Sequence, residues 1–96
     1  MDKEEAKNVL VEVFNEYRAM SHEELVALIQ SPLVLERLGP SGVEYQIEIQ
    51  AFWDEPRKGE GNLRVIASID DGRFPYVFLP MTIDFVMKPD GSFVGE

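Results

Sequence analysis

"VEYQIEIQAFW", Val43 to Trp53, alternates apolar and polar residues almost without fault. Val43, Tyr45, Ile47, Ile49, Ala51 and Trp53 share one parity. Glu44, Gln46, Glu48 and Gln50 share the other, and only Phe52 breaks the polar set. Side chains of an extended chain point alternately to opposite faces, so this pattern predicts a strand with one buried and one solvated face. Such strands belong to antiparallel sheets covered on one side.

Downstream, the charged and glycine-rich "DEPRKGEG" (54–61) reads as a loop. Three further strands are expected: "NLRVIASI" (62–69) with Leu63, Val65, Ala67 and Ile69 inward, "FPYVFL" (74–79) with Phe74, Tyr76 and Phe78 inward, and "TIDFVMK" (82–88) with Ile83, Phe85 and Met87 inward. If Ile69 pairs with Phe74, Ala67 meets Tyr76 and Val65 meets Phe78, so small or branched residues oppose rings. The adjacent acids Asp70 and Asp71 then belong to the connection 70–73 rather than to a catalytic pair, because "DG" is turn chemistry. Pro75 has no N–H to donate, which calls for a loop wider than two residues. "KPDGSF" (88–93) is another turn, and "SFVGE" (92–96) supplies a short fifth edge strand.

Upstream of Val43 the apolar period is that of a helix. Ala6, Val9, Leu10, Val13, Phe14, Tyr17 and Met20 recur at spacings of three and four. Asp2 with Glu5, and Ser21 with Glu24, have capping-box spacing, and Met20 and Leu25 bracket the second cap as a hydrophobic staple. A second helix therefore starts at His22 and buries Leu25, Val26, Leu28 and Ile29. "SPLVLERLGPSG" (31–42) is expected to form a short third helix, capped by Ser31, with Pro32 in its first turn and Gly39 and Pro40 ending it.

The expected fold is α+β: two N-terminal helices plus a short third, then a four-stranded antiparallel meander with a short fifth edge strand. It forms one domain over 1–96, helical over 2–38 and sheet over 43–95. The helices should cover the face carrying Tyr45, Ile47, Ile49, Val65 and Tyr76. On the opposite face Ile66, Val77, Leu79 and Val86 form an apolar patch among polar residues, an expected interaction surface.

Charge and composition narrow the function. The net charge is −9, which disfavours nucleic acid and anionic membranes as partners and suits a basic protein, while the apolar outer sheet face suits a protein partner or a second copy of the chain. The chain has no cysteine, so thiolate metal sites, thiol nucleophiles and disulfides are excluded. The opening "MDKEEAKNVL" lacks a basic region followed by an apolar run, so a cytoplasmic location is expected. His22 is the single histidine, too few for an imidazole metal site, and Ser21 beside it already has a capping role. Neither "GPSG" nor "KGEGN" has the strand-to-helix context of a phosphate loop. Two carboxylates of the outer face, Glu48 and Asp84 for example, have the chemistry to flank a ligand as acid and base, though outward polar residues on a sheet are the ordinary case.

The stretch "EYQIEIQAFWDEPRKGEGNLRVIASIDDGRF" and the ending "DFVMKPDGSFVGE" resemble segments of small bacterial proteins of no assigned function. The resemblance covers the C-terminal two-thirds and consists of turn and strand residues, so it implies a fold and carries no site. The order of helices then sheet is also similar to cystatin-like domains in architecture, which does not license a function. The expectation is a non-enzymatic cytoplasmic interaction or regulatory module that needs no cofactor and no metal. The alternative is a small-ligand-binding protein or minor enzyme with a site between helices and sheet, near Tyr17, Tyr45, Tyr76 and Trp53.

Overall fold

A computed structural model describes residues 1–54, 61–73 and 80–95. Helix α1 spans Lys3–Arg18 and α2 spans His22–Val26, continued by a 3-10 turn at Ala27–Ile29. Four strands follow, β1 Leu33–Leu38, β2 Glu44–Trp53, β3 Leu63–Asp70 and β4 Met81–Met87. They form one antiparallel sheet in the order β1-β2-β3-β4, an α+β arrangement with helix first and meander second.

The helices start where the caps predict. Asp2 accepts from the Glu4 and Glu5 N–H groups, both at 3.1 Å. Its expected partner Glu5 turns its carboxylate elsewhere, to Tyr45 and Ser41. The Ser21–Glu24 box is complete: Ser21 Oγ accepts from Glu24 N–H and Glu24 Oε1 accepts from Ser21 N–H, each at 3.1 Å. The striped face of α1 buries Ala6, Val9, Leu10, Val13 and Tyr17 against the inner sheet face. There Tyr45, Ile47 and Ile49 of β2 and Leu63, Val65 and Ile69 of β3 are fully buried or nearly so.

The expected third helix is a strand. Residues 33–38 pair with β2 in the register Leu33↔Ile49, Leu35↔Ile47 and Arg37↔Tyr45, so the sheet begins at Leu33 and the helical part ends at Ile29. Six residues give a free helix fewer than two turns, whose nucleation is costly. As a strand the same residues complete a ladder beside the long β2. The "GPSG" turn closes this hairpin: Gly39 N–H donates to Val43 O at 2.8 Å, and Gly42 takes a φ of 91° that favours glycine.

The register of β3 also differs from expectation. Ile69 lies opposite Ile47 and Met81, Ala67 opposite Ile49 and Ile83, and Val65 opposite Ala51 and Phe85. Both sides of β3 are thus taken by β2 and β4, and the partners expected from the sequence, Phe74, Tyr76 and Phe78, lie outside the described residues. The acids before them do form turn contacts. Asp70 Oδ1 accepts from Gly72 N–H at 2.8 Å, and Asp71 Oδ1 accepts from Arg73 N–H at 3.0 Å.

The expected fifth strand reduces to a single bridge, Met87↔Phe93. Phe93 folds onto the inner side. Its ring meets Phe85 edge-on at 5.5 Å, Phe85 meets Phe14 edge-on at 5.1 Å, and the Arg18 guanidinium lies 4.0 Å from the Phe93 ring centre.

Candidate functional site

The aromatic residues proposed from sequence for a ligand site do not converge. Tyr17 is buried in the last turn of α1. Tyr45 is fully buried near the start of β2, and Trp53 is half-buried at its end. Eight residues of strand separate the last two, about 26 Å at the usual rise. Tyr76 lies outside the described residues. Trp53 stacks at a tilt on His22, ring centres 6.0 Å apart, and His22 Nε2 is 3.0 Å from the Gly61 carbonyl oxygen. The histidine is thus half-buried and hydrogen-bonded, as its position on the second helix suggests. A depression of about 410 Å³ beside Trp53 is lined by Val26, Ile29, Gln30 and Ser31 and offers little for acid–base chemistry.

The Tyr45 hydroxyl is instead part of a joint between α1 and the β1–β2 turn. Glu5 Oε1 accepts from Tyr45 Oη and from Ser41 Oγ, both at 2.7 Å, and Glu5 Oε2 accepts from Ser41 N–H at 2.9 Å. These donors hold the Glu5 carboxyl below its ordinary value, the Tyr45 hydroxyl contributing most. Burial first, and the Glu5 carboxylate second, push the Tyr45 phenol up to about 12. Gly39 sits under this joint: a Cβ there would stand 2.8 Å from both Glu5 Oε1 and Tyr45 Cε2. Every one of these groups is occupied by another, which is the signature of a structural joint rather than of a reactive centre.

The outer carboxylates are similarly engaged. Glu48 accepts from the Gln50 side chain, and Asp84 pairs with Arg64, which also holds Asp54 at 2.9 Å. With β3 between their strands and a two-residue offset in register, Glu48 and Asp84 lie about 12 Å apart by sheet geometry. They do not flank one reacting atom. No group of three or more metal-ligating side chains occurs among the described residues.

What the fold does bring to the surface is apolar. Ile66 and Val86 occupy diagonal positions of β3 and β4 on the outer face, both half-buried, while Val77 and Leu79 lie outside the described residues. The larger exposures fall elsewhere: Val34 is 63% and Leu38 72% exposed, against 42% for Phe52. Val34 and Leu38 belong to β1, an edge strand that the sequence reading assigns to a helix. A partial signal was present in "LVLERLGPSGVEYQIEI", a short run rich in Leu and Val joined by a short turn to an alternating run, an order compatible with a hairpin.

The edge is acidic on both sides. On the outer face Glu36 lies between Val34 and Leu38, and a hydrogen bond with Glu44 and its like charge raise the Glu36 carboxyl above its ordinary value. Toward the helix, two adjoining depressions of about 320 and 280 Å³ run between α1 and the end of β1 and share Val9, Glu12 and Pro40. Asp2 and Glu4 line one, Val13, Arg37 and Leu38 the other. Arg37 is drawn toward Glu16 of α1, 3.1 Å away.

Comparison with known proteins adds no assignment: no family model matches the chain, and no match is found among curated proteins or solved structures. No helix among the described residues is long and apolar enough to cross a membrane.

Proposed function

We propose that the chain is a non-enzymatic, cytoplasmic protein-interaction module whose partner is a basic protein. The observation that carries this reading is the exposure of Val34 and Leu38 on an edge strand bordered by Glu36, Glu44 and Glu12. Exposed apolar side chains rimmed by one sign of charge suit a complementary protein surface, in which apolar contact supplies affinity and charge supplies selectivity. The net charge of −9 points the same way, since it attracts a basic partner and repels polyanions.

The test is affinity capture with the purified chain and with a Val34→Lys/Leu38→Lys variant, each captured protein then being purified and titrated directly. The expected result is a basic protein that binds the wild type and binds the variant at least about tenfold more weakly. Identical capture and identical affinities for the two baits would sink the proposal. An Ile66→Lys variant run in parallel measures how far the surface extends across the outer face.

A further inference from the structure

Building on that reading, the geometry points to the mode of docking: we propose that the free edge of β1 takes an extended, basic segment of the partner as an added fifth strand of the sheet.

The ladder dictates which groups are available. Gly39 N–H donates to Val43 O, which makes Gly39↔Val43 a hydrogen-bonded pair and, by alternation, Arg37↔Tyr45, Leu35↔Ile47 and Leu33↔Ile49 as well. On the far side of β2, Asp54 N–H donates to Asn62 O, so the even residues of β2 face β3 and the odd ones face β1. The N–H and C=O groups of Val34, Glu36 and Leu38 therefore point away from the sheet. Among the described residues nothing pairs with them. Three outward residues offer six main-chain hydrogen-bonding groups at strand spacing, which is the template that strand addition requires.

The side chains select what is added. On the outer face, an incoming strand would run beside Val34, Glu36 and Leu38, in the order apolar, acidic, apolar, with Glu44 behind Leu38 and diagonal to Glu36. On the inner face its side chains would enter the groove between β1 and α1, where Val9 and Val13 form apolar wall, Glu12 supplies negative charge and Arg37 is paired with Glu16. An alternating segment then sets its apolar residues inward against Val9 and Val13 and its Lys or Arg residues outward, heads toward Glu36 and Glu44 and stems along Val34 and Leu38.

A second copy of this chain fits the same edge poorly. A twofold pairing that keeps both inner faces on one side and uses all three outward positions sets Val34 opposite Leu38 and Glu36 opposite Glu36. Like charges directly opposite are destabilising, and here each already crowds a Glu44.

The experiment uses three synthetic peptides of about ten residues: one alternating lysine and valine, one with glutamate for lysine, and the lysine peptide with its backbone amides N-methylated. Binding is read by fluorescence anisotropy, and the amide hydrogen exchange of the protein is read by NMR. The lysine peptide is expected to bind and to slow exchange at Val34, Glu36 and Leu38 by about tenfold or more. N-methylation should cost about tenfold or more in affinity at unchanged charge. The glutamate peptide should not bind, and Glu36→Lys, with an unchanged circular dichroism spectrum, should weaken the lysine peptide. Equal affinity of the methylated and unmethylated peptides overturns strand addition. So do slow Val34, Glu36 and Leu38 amides in the peptide-free protein, or a sedimenting dimer in which those three amides are protected. In those cases the interaction reading survives if the captured partner still discriminates against Val34→Lys/Leu38→Lys. Loss of that discrimination removes the reading itself.

Discussion

At the β4 edge the chain folds back on itself, whereas the β1 edge is left bare among the described residues. Lys88 N–H donates to Ser92 O at 2.7 Å, Val94 N–H donates to Val86 O at 2.9 Å, and Phe93 anchors the return against Phe85 and Arg18. Further along β4 the next outward residue is Asp84, held by Arg64. An unpaired edge is a liability that proteins blunt with short cover, charge or twist. β4 carries cover and charge. β1 carries neither at Val34 and Leu38, its two most exposed apolar residues, and is instead held from behind through the Glu5–Tyr45–Ser41 joint. The Val86–Lys88 end of one edge is closed by the returning chain, whereas the other edge is positioned by polar contacts at its turn and left open among the described residues. Openness on that side coincides with the acidic groove along α1.

The contrast is broken most severely at β4. Phe85 is nearly fully buried and holds both Phe14 and Phe93. Phe85→Ala is expected to cost about 3–5 kcal/mol by urea denaturation, and to speed exchange at the Lys88 and Val94 amides beyond the global loss. Unchanged protection of those two amides relative to the core would show that the return does not depend on the ring.

Tyr45→Phe comes next, with an expected loss of about 1–2 kcal/mol, since it removes a half-buried hydrogen bond to a carboxylate. The pH dependence follows from the two shifts. The Glu5 carboxyl is depressed in the fold from an ordinary 4.5, so its contribution is complete above that value and fades as pH falls through the lower folded value. The Tyr45 phenol is raised from 10.0 to about 12, so its contribution is complete below pH 10 and fades as pH rises toward 12. Stability of the wild type should decline at both ends. In Tyr45→Phe the alkaline decline should shrink, while the acid one persists in part through Ser41. Equal alkaline slopes in the two proteins would detach Tyr45 from the joint.

How far the sequence makes this contrast visible depends on how local each determinant is. The caps at Asp2 and Ser21, the stripe of α1 and the alternation of β2 are written in residues two to four apart, and each appears in the structure at the position read from sequence. β1 is short, follows "SP" and ends in "GP", signals shared by a helix and an edge strand, and what decides between them is the ladder offered by β2. The pairing of β3 with β4 is likewise decided between residues far apart in the chain. Capping-box spacing at Asp2 suggests a partner for Glu5 three residues away, yet Glu5 bonds Ser41 and Tyr45, thirty-six and forty residues along the chain. The candidate surface was hidden for the same reason: Val34 and Leu38 become an exposed edge only once β1 is a strand.

Gly39→Ala tests the joint by steric means. The added methyl would stand within 2.8 Å of Glu5 Oε1 and of the Tyr45 ring, so an expected loss of about 1–3 kcal/mol reports overpacking. It should be smaller in Tyr45→Ala, where the ring is gone and room exists, and a double-mutant cycle checks this. An additive pair would place the strain elsewhere.

The smallest effect on stability is expected where the effect on binding is largest. Val34→Lys and Leu38→Lys replace exposed side chains and should each change unfolding free energy by no more than about 0.5 kcal/mol. If the bare edge were a by-product of folding, its apolar residues would be packed, and charging them would destabilise the chain as Phe85→Ala does. If the edge is kept for a partner, thermal midpoints of wild type and variants should coincide while affinity for the basic segment falls. A fall of several degrees in the melting midpoint of either variant would show that β1 shields something of its own, and would make the two edges alike after all.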